Sequence, residues 1–318
     1  MNFIKIGWNG FLFETPKDFR LVSERGNSKT GYMRLETENG IVELKWEPYQ
    51  PGKAKSISEV ASEFIKNIQK SKKKVNISVK KTKATSVNGH DASFISLKTD
   101  LEESIYLWYC EESSRIIICH FAFPSINEFS RVSIEKIIDT MKCHSKGIHV
   151  WSLLGFTFKA PSSFMLNERR MTVGGSRLIL VESKLSPYQE VRREIYFQYY
   201  SMANLLFKED YNNPAKWLEK NYIKNLRQRY GKIKFDDAEI CRFKRHKAAI
   251  RKGESSSGLL SRRKSYYQNL TWYCTSSNRI YTVTVSSHLS RIFFLKKDID
   301  PHSLEEFAEK IFSTIRCH

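Results

Sequence analysis

The sequence predicts an α+β protein made of two tandem copies of one domain, each an antiparallel β-sheet flanked by helices. The first observation is internal repetition. Residues 10–21 (GFLFETPKDFRL) align without a gap on residues 155–166 (GFTFKAPSSFML), and residues 106–116 (YLWYCEESSRI) align on residues 270–280 (LTWYCTSSNRI). The second is the shared order of elements, in which strands precede and follow a helix and a second helix closes each copy.

Both copies end on the dipeptide Cys-His. Residues 137–144 (IIDTMKCH) align on residues 311–318 (IFSTIRCH). The repeat therefore places a boundary near Ser145 and predicts domains at 1–147 and 148–318. At this length each domain can bury a core of its own.

Each copy opens on β-strands. Phe11 and Phe13 lie two residues apart, so their side chains share one face of a strand that Pro16 ends. Phe156 and Phe158 repeat this spacing in the second copy. Two more short strands are expected in each copy before the first helix.

Helix start signals follow these strands in both copies. Ser56-x-x-Glu59 is a capping box, and Asn213-Pro214 opens the corresponding helix of the second copy. Three or more strands and a closing helix come next. Because the connections are of hairpin length, this order predicts an antiparallel sheet covered by helices.

An aromatic strand running into Pro-x-x-Phe, a helix, a strand that starts Gly-x-x-Ala and a final helix together resemble the PsbP/DcrB-like superfamily. The matching residues are Phe11, Phe13, Pro16, Phe19, Gly89, Ala92, Phe156, Phe158, Pro161 and Phe164. The resemblance covers nearly the whole chain and implies this fold in each copy. It also implies a binding or assembly protein, because members of the superfamily generally share no set of catalytic residues.

The chain is strongly basic, with a formal net charge of +19. Lys and Arg outnumber Asp and Glu by 23 to 18 in residues 1–147 and by 30 to 16 in residues 148–318. Within the second copy, residues 216–264 carry 16 basic and 5 acidic residues. A concentrated basic surface attracts polyanions because it neutralises phosphates and releases their counterions.

The basic segment predicts a polyanion-binding patch in the second domain, with RNA or a ribonucleoprotein as the partner. The residues expected to contact phosphate are Arg242, Lys244, Arg245, Lys247, Arg251, Lys252, Arg262, Arg263 and Lys264. Ser255–Ser261 reads as a flexible insertion that the first copy lacks, and Tyr266 and Tyr267 add stacking capacity beside it. The alternative is an assembly module that docks an acidic protein through the same surface.

Cysteines and histidines recur at matched positions of the two copies. The pairs are Cys110 with Cys274, Cys143 with Cys317, His144 with His318, and His90 (in NGHDASF) with His246 (in KRHKAAI). Cys110 ends a strand just before a turn, and the closing helix returns toward that turn. The strand that begins at His90 should pair with the strand that ends at Cys110. We therefore expect three segments to meet at one corner of each domain.

Three interpretations of this corner remain open from the sequence. Two thiolates and two imidazoles suit a tetrahedral structural site for zinc or a similar metal. Matched cysteine pairs also suit disulfides from Cys110 to Cys143 and from Cys274 to Cys317. The third interpretation is an ordinary core with cysteines as small apolar residues. A thiol enzyme with Cys110 and His144 as nucleophile and base would need an accessible pocket.

The sequence favours a soluble, cytoplasmic, non-catalytic protein. No apolar run approaches the length of a membrane span, and the repeat begins too close to Met1 to leave room for a signal peptide. Cys119 and Cys241 have no matched partner and are expected to be buried thiols. The expected function is polyanion binding by the second domain, and a zinc- or thiol-dependent enzyme is a further alternative.

Overall fold

The computed structural model describes residues 1–53, 55–71, 76–152, 155–206, 213–257, 261–292 and 300–317. The chain divides into two compact units, Met1–Leu153 and Leu154–His318. Each unit is an antiparallel sheet with helices packed on it, which confirms the predicted α+β class.

The described residues of the first unit form ten strands. They are β1 (Phe3–Trp8), β2 (Phe11–Pro16), β3 (Arg20–Gly26), β4 (Gly31–Thr37), β5 (Gly40–Pro48), β6 (Ser78–Val87), β7 (His90–Lys98), β8 (Glu102–Cys110), β9 (Arg115–Phe123) and β10 (Ile148–Trp151). Seven of them form a sheet in the order β3-β4-β5-β9-β8-β7-β6, while β1 and β2 pair as a separate ribbon.

The second unit repeats this arrangement. Its described strands are β11 (Phe158–Pro161), β12 (Met165–Thr172), β13 (Gly175–Ser186), β14 (Gln189–Ser201), β15 (Lys234–Phe235), β16 (Glu239–Phe243), β17 (His246–Ser257), β18 (Ser261–Cys274) and β19 (Arg279–Ile292). Eight of them form a sheet in the order β12-β13-β14-β19-β18-β17-β15, with β16 also paired to β17. Sequence reasoning missed the edge strands β3 and β12.

The first and the closing helix of each copy follow the predicted order, whereas the short helix Ala203–Leu206 was not predicted. The described helical segments are a 3₁₀ turn at Pro51–Lys53, α1 (Ile57–Ser71), α2 (Glu128–Thr140), α3 (Ala203–Leu206), α4 (Pro214–Trp217), a π-helical turn (Leu218–Tyr222), α5 (Ile223–Tyr230) and α6 (Pro301–Thr314). The Ser56 N–H donates to Glu59 Oε2 at 2.8 Å, which confirms the capping box. Asn213 Oδ1 accepts from the Lys216 N–H at 3.2 Å and caps α4.

Helices α1 and α4–α5 cover the same face of their respective sheets. In the first unit, Ala61 of α1 packs among Ile95, Leu97 and Leu107. In the second unit, the inward side of α4–α5 packs against residues that include Tyr196 of β14 and Ile280 of β19. Burial of these apolar faces stabilises each unit separately.

The insertion in the second copy lengthens a hairpin. Strand β17 continues to Ser257 and β18 starts at Ser261, so much of the segment expected to be flexible is paired strand. The middle of the insertion, residues 258–260, lies outside the described residues.

Candidate metal centres

Three segments of the first unit converge at one corner of its sheet. His90 begins β7, Cys110 ends β8, and Cys143-His144 follows α2. One ligand-type atom from each of these four side chains lies within 4.8 Å of the others. The topology therefore brings together four residues from positions 90 to 144 of the chain.

The turn before β7 fixes the position of His90. Asn88 and Gly89 have φ values of 52° and 80°, and Val87 pairs with His90 across the turn. Positive φ at both central residues is the requirement of a two-residue type I′ hairpin, which Asn-Gly satisfies best. Asn88 also donates from Nδ2 to Cys143 Sγ at 3.5 Å, so the turn touches the cluster directly.

Backbone hydrogen bonds fix the position of Cys143-His144. The residue before this dipeptide, Lys142, exchanges two hydrogen bonds with Leu12 of β2, at 2.7 and 2.9 Å. The second unit has the equivalent pair of backbone hydrogen bonds, between Arg316 and Thr157, at 2.7 and 2.8 Å. In both units the residue just before Cys-His is therefore hydrogen-bonded to the beginning of the copy, to β2 in the first unit and to Thr157, just before β11, in the second.

The interatomic distances in the first cluster match tetrahedral coordination. His144 Nδ1 lies 3.4 Å from Cys110 Sγ and 3.6 Å from Cys143 Sγ. A tetrahedral zinc ion bonded to sulfur at about 2.3 Å and to nitrogen at about 2.0 Å holds those two atoms about 3.5 Å apart. The side chains are already spaced as the edges of such a tetrahedron.

The two thiols of this corner, Cys110 and Cys143, are buried and hydrogen-bonded to each other. Cys110 and Cys143 are both 0% exposed. A hydrogen bond from Cys110 lowers the pKa of Cys143 to about 6, and the Trp108 indole and the Arg115 charge act in the same direction. The same interaction, together with burial, raises the pKa of Cys110. The lowered pKa of Cys143 favours the thiolate form that a metal-binding cysteine requires.

The imidazoles have the surroundings of metal ligands. His90 Nε2 is buried without a hydrogen-bond partner among the described residues. A buried nitrogen of this kind costs folding free energy unless a ligand binds it. Glu112 lies beside both rings, 3.8 Å from His90 Nε2 and 3.7 Å from His144 Nε2. For His144, whose Nδ1 faces the two sulfurs, Glu112 lies on the opposite nitrogen, the place from which a carboxylate orients a ligating ring.

The second unit brings its matched residues together in the same way. His246, Cys274 and Cys317 offer ligand-type atoms within 4.8 Å of one another. Cys317 Sγ lies 3.3 Å from His246 Nε2, and burial raises the pKa of Cys317 to about 11. The predicted fourth member, His318, lies outside the described residues. Ala92 pairs with Trp108, and Ala248 pairs with Trp272, so His90 and His246 occupy equivalent places before these pairs.

Sequence reasoning missed a buried arginine at this corner. Arg115 is 3% exposed, donates to the carbonyl oxygens of Asn9 and Ser28 at 3.1 and 3.0 Å, and also donates to the Cys143 carbonyl oxygen. Burial lowers its pKa to about 10. The signal was present, because Arg115 aligns with Arg279 in the repeated segment that follows Trp-Tyr-Cys.

The unmatched cysteines lie apart from both clusters. Cys119 is fully buried, as expected, and burial raises its pKa. Cys241 is only half-buried in β16, so its assignment as a buried thiol needs correction. Burial nevertheless raises the pKa of Cys241 as well.

Part of the predicted polyanion-binding set lies at the turn between β16 and β17. Arg242, Lys244, Arg245 and Lys247 are exposed there. The Lys244 ammonium also donates to the Ile315 carbonyl oxygen, two residues before Cys317. This group, the β16–β17 turn cluster, therefore adjoins the Cys/His corner of the second unit.

Arg251 requires a correction. It is 7% exposed, pairs with Glu219 of the π-helical turn and donates to the Asp236 carbonyl oxygen at 2.6 Å. A guanidinium that is buried and paired in this way holds β17 to the helix above it and cannot contact a phosphate. Its partner lies 32 positions earlier in the sequence, which composition alone does not reveal.

The remaining basic residues of the predicted patch lie elsewhere. Lys252 pairs with Glu305 of α6 at 2.8 Å. Arg263 is exposed and Lys264 half-buried, while the side chain of Arg262 lies outside the described residues. Tyr267, expected to stack on bases, is instead 3% exposed and packs in the core. Arg263 is opposite Ser257, at the other end of the 12-residue strand β17 from the turn cluster. Ten residues of strand span about 33 Å, so these residues do not form one patch with the turn cluster.

Comparison with known proteins adds little beyond the fold. No protein-family model matches the sequence, and no curated protein matches it. One similar solved structure is the solution structure of cyanobacterial PsbP (CyanoP) from Synechocystis sp. PCC 6803, with a TM-score of 0.33 and 9% identity over 40% of this chain and 85% of that chain. This is a loose resemblance of fold alone.

In the described part of the chain, every helix is too short or too polar to cross a lipid bilayer.

Proposed function

We propose that this chain is a non-catalytic binding protein in which each of two units is stabilised by one zinc ion held by two cysteines and two histidines. The observation that carries the proposal is the cluster of His90, Cys110, Cys143 and His144, whose ligand-type atoms lie within 4.8 Å of one another. The first ion would be held by these four residues. The second would be held by His246, Cys274 and Cys317, with His318 as the fourth ligand suggested by the repeat.

Zinc accounts for more of the corner than a disulfide does. A disulfide would use the two sulfurs and leave the buried His90 Nε2 without a partner. Zinc would use both sulfurs and both imidazoles, with Glu112 on the far side of the His144 ring. A thiol enzyme is less favoured because Cys110 and Cys143 are 0% exposed, and a nucleophile must be reached by its substrate.

The direct test is native mass spectrometry of the full chain, purified without chelator, together with elemental analysis. We expect two zinc ions per chain, and one zinc ion in the Cys143→Ser variant. Cys241→Ser is the matched control, since it removes a half-buried thiol outside both clusters and should retain two ions. A metal-free chain lighter by four hydrogen atoms would establish two disulfides and contradict the proposal.

The binding activity that the charge distribution supports is recognition of a polyanion, RNA or a ribonucleoprotein, by the second unit. Residues 148–318 carry 30 basic and 16 acidic residues, against 23 and 18 in residues 1–147. Exposure of the β16–β17 turn cluster also favours it. Affinity for RNA should fall steeply with added salt. Salt-independent binding, or capture of an acidic protein that survives nuclease treatment, would contradict this assignment.

A further inference from the structure

The helix over the second sheet carries a row of positive charge on its outer side. Elements α4, the π-helical turn and α5 follow one another without a break from Pro214 to Tyr230. Lys216, Lys220, Lys224 and Arg227 lie three or four residues apart along them, and all four are exposed. We call these four residues the basic ridge. Residues three and four apart in a helix lie on the same side, about one turn from each other.

The π-helical turn keeps this row straight. In a regular α-helix with 3.6 residues per turn, residues four apart drift around the axis. A π turn contains more residues per turn, so the wider turn at Leu218–Tyr222 offsets the drift between Lys216 and Lys224. The result is a line of cations at intervals of about 5–6 Å.

The inner side of the same helix is fully engaged with its own sheet. Trp217, Leu218, Tyr222 and Leu226 are buried and pack in the core of the second unit. The helix therefore has no apolar face to offer to a lipid bilayer, which an interfacial helix needs. Its outward contribution is charge alone.

The first unit supplies an internal comparison. Helix α1 covers the same face of its sheet, but its outer residues Glu59, Glu63, Lys66 and Lys70 carry no net charge. The fold itself thus does not require a basic helix at this place. In the second unit, moreover, Arg229 at the end of α5 pairs with Glu168 at 3.2 Å, whereas no described carboxylate pairs with Lys216, Lys224 or Arg227.

We propose that the basic ridge binds the phosphate backbone of a nucleic acid and is the principal polyanion contact of the second unit. This inference rests on the proposed function, in that the second unit must bind a polyanion. The main polyanion contact is then the helix between Lys216 and Arg227, in place of the predicted set between Arg242 and Lys264. Four exposed cations along one side of a helix can neutralise several phosphates of one nucleic-acid strand and release their counterions.

The ridge contacts the backbone and does not read the bases. Its exposed side presents ammonium and guanidinium groups, while Trp217 and Tyr222 of the same helix are buried and cannot stack on a base. Phosphate contacts fix position and carry no sequence information directly. Binding should therefore be nearly independent of nucleotide sequence and strongly dependent on salt.

The test measures the affinity of the full chain for a fluorescent RNA duplex and a single-stranded RNA between 50 and 200 mM salt. Each phosphate contact contributes about −0.9 to the slope of log K against log salt for duplex DNA and about −0.7 for single strands. Replacing all four ridge residues by Gln should reduce the slope by about 3–4 and weaken binding at low salt by at least tenfold. Replacing Lys216 and Lys224 by Arg should preserve both.

Two control variants separate the possible failures. Lys66→Gln with Lys70→Gln removes cations from α1 and should leave the affinity unchanged. Arg242→Gln, Arg245→Gln and Lys247→Gln together test the β16–β17 turn cluster. If the turn variant loses binding while the ridge variant retains it, the ridge proposal is wrong and the second unit still binds a polyanion. If the unaltered chain binds neither RNA, polyanion binding fails as well.

Discussion

Arg115 and Arg279 align in the two copies but make different contacts. Arg115 bonds the carbonyl oxygens of Asn9, Ser28 and Cys143 and stacks on Phe11 at 4.3 Å. Arg279 bonds Gly155, and the Cys317 carbonyl oxygen instead accepts from the Tyr281 hydroxyl at 3.3 Å. In the first copy Ile117 stands at the position of Tyr281 and cannot donate. Arg115 therefore donates to the cysteine carbonyl oxygen at its Cys/His corner, where the second unit uses Tyr281.

We expect Arg115→Met to destabilise the first unit by about 3 kcal/mol, because it leaves several buried carbonyl oxygens without this donor. Arg279→Met should cost about 1 kcal/mol, since fewer contacts are lost. Urea unfolding of the full chain at fixed zinc concentration measures both. Equal losses in the two variants would contradict the assigned role of Arg115.

His120 makes the stability of the first unit depend on pH. Its Nε2 lies 2.9 Å from Glu103 and its Nδ1 lies 3.4 Å from Glu43. Burial by itself lowers the pKa of His120, but hydrogen bonds to the two carboxylates raise it above the ordinary 6.5. The hydrogen bond with His120, supported by Tyr32 and Arg34, lowers the pKa of Glu43 to about 2.

The directions of these two pKa shifts determine how the stability of the first unit changes with pH. The contribution of His120 to stability is complete below pH 6.5 and is lost as pH rises through its higher folded pKa. The contribution of Glu43 to stability is complete above pH 4.5 and is lost as pH falls toward 2. We expect His120→Gln to flatten the decline in stability of the first unit above pH 6.5. The aligned Thr284→Val should not change the pH profile. An unchanged profile in His120→Gln would refute the assignment.

At the scale of residues, the sequence predicted that three segments meet at a Cys/His corner, but it did not predict the role of the arginine. Cys110, Cys143 and His144 could be found because both copies retain them next to recognisable strand and helix ends. The role of Arg115 depends on which carbonyl oxygens meet in space, and three of its acceptors lie 106, 87 and 28 positions away. A one-dimensional pattern does not contain that information.

Among the elements, the hairpin turn before β7 has two separable roles. Asn88 adopts a positive φ of 52° and donates to the Cys143 sulfur. Its counterpart before β17 is Lys244, also at a positive φ, of 54°. The turn shape and the contact with the cysteine can therefore be altered independently.

We expect Asn88→Gly to preserve the turn, because Gly adopts positive φ at no steric cost, and to weaken zinc binding about 10–100-fold, as removal of outer-shell donors does. Asn88→Val should disturb the turn as well and lower stability. Competition with a chromophoric chelator measures the affinity, and circular dichroism monitors the fold. Unchanged affinity in Asn88→Gly would show that the contact with the sulfur contributes nothing.

Elements were predictable where local chemistry decides them. Capping residues located α1 and α4, and the spacing of phenylalanines located β2. The basic ridge was hidden because counting charges over residues 216–264 does not separate the outer side of a helix from a buried strand. Arg251 and Lys224 carry the same charge in that count, but only Lys224 is exposed.

At the scale of the whole molecule, each unit has its own core and its own Cys/His corner. If each unit binds one zinc ion as proposed, loss of one ion should destabilise only the unit that binds it. We expect Cys143→Ser to increase hydrogen exchange in strands β7 to β9 and to leave β17 to β19 as protected as before. Cys317→Ser should give the converse pattern, and peptide-resolved exchange measured by mass spectrometry distinguishes them. Increased exchange in both units from either variant would contradict this independence.

The bonds between Leu12 and Lys142, and between Thr157 and Arg316, have a consequence for the origin of the chain. They hold a residue near the start of each copy beside a residue near its end, so the chain enters and leaves each copy at nearby points. Duplication of such a domain needs only a short connecting segment between the copies and no rearrangement inside either one. The same closeness makes each copy suited to circular permutation, with its old ends joined and new ends opened in a surface turn.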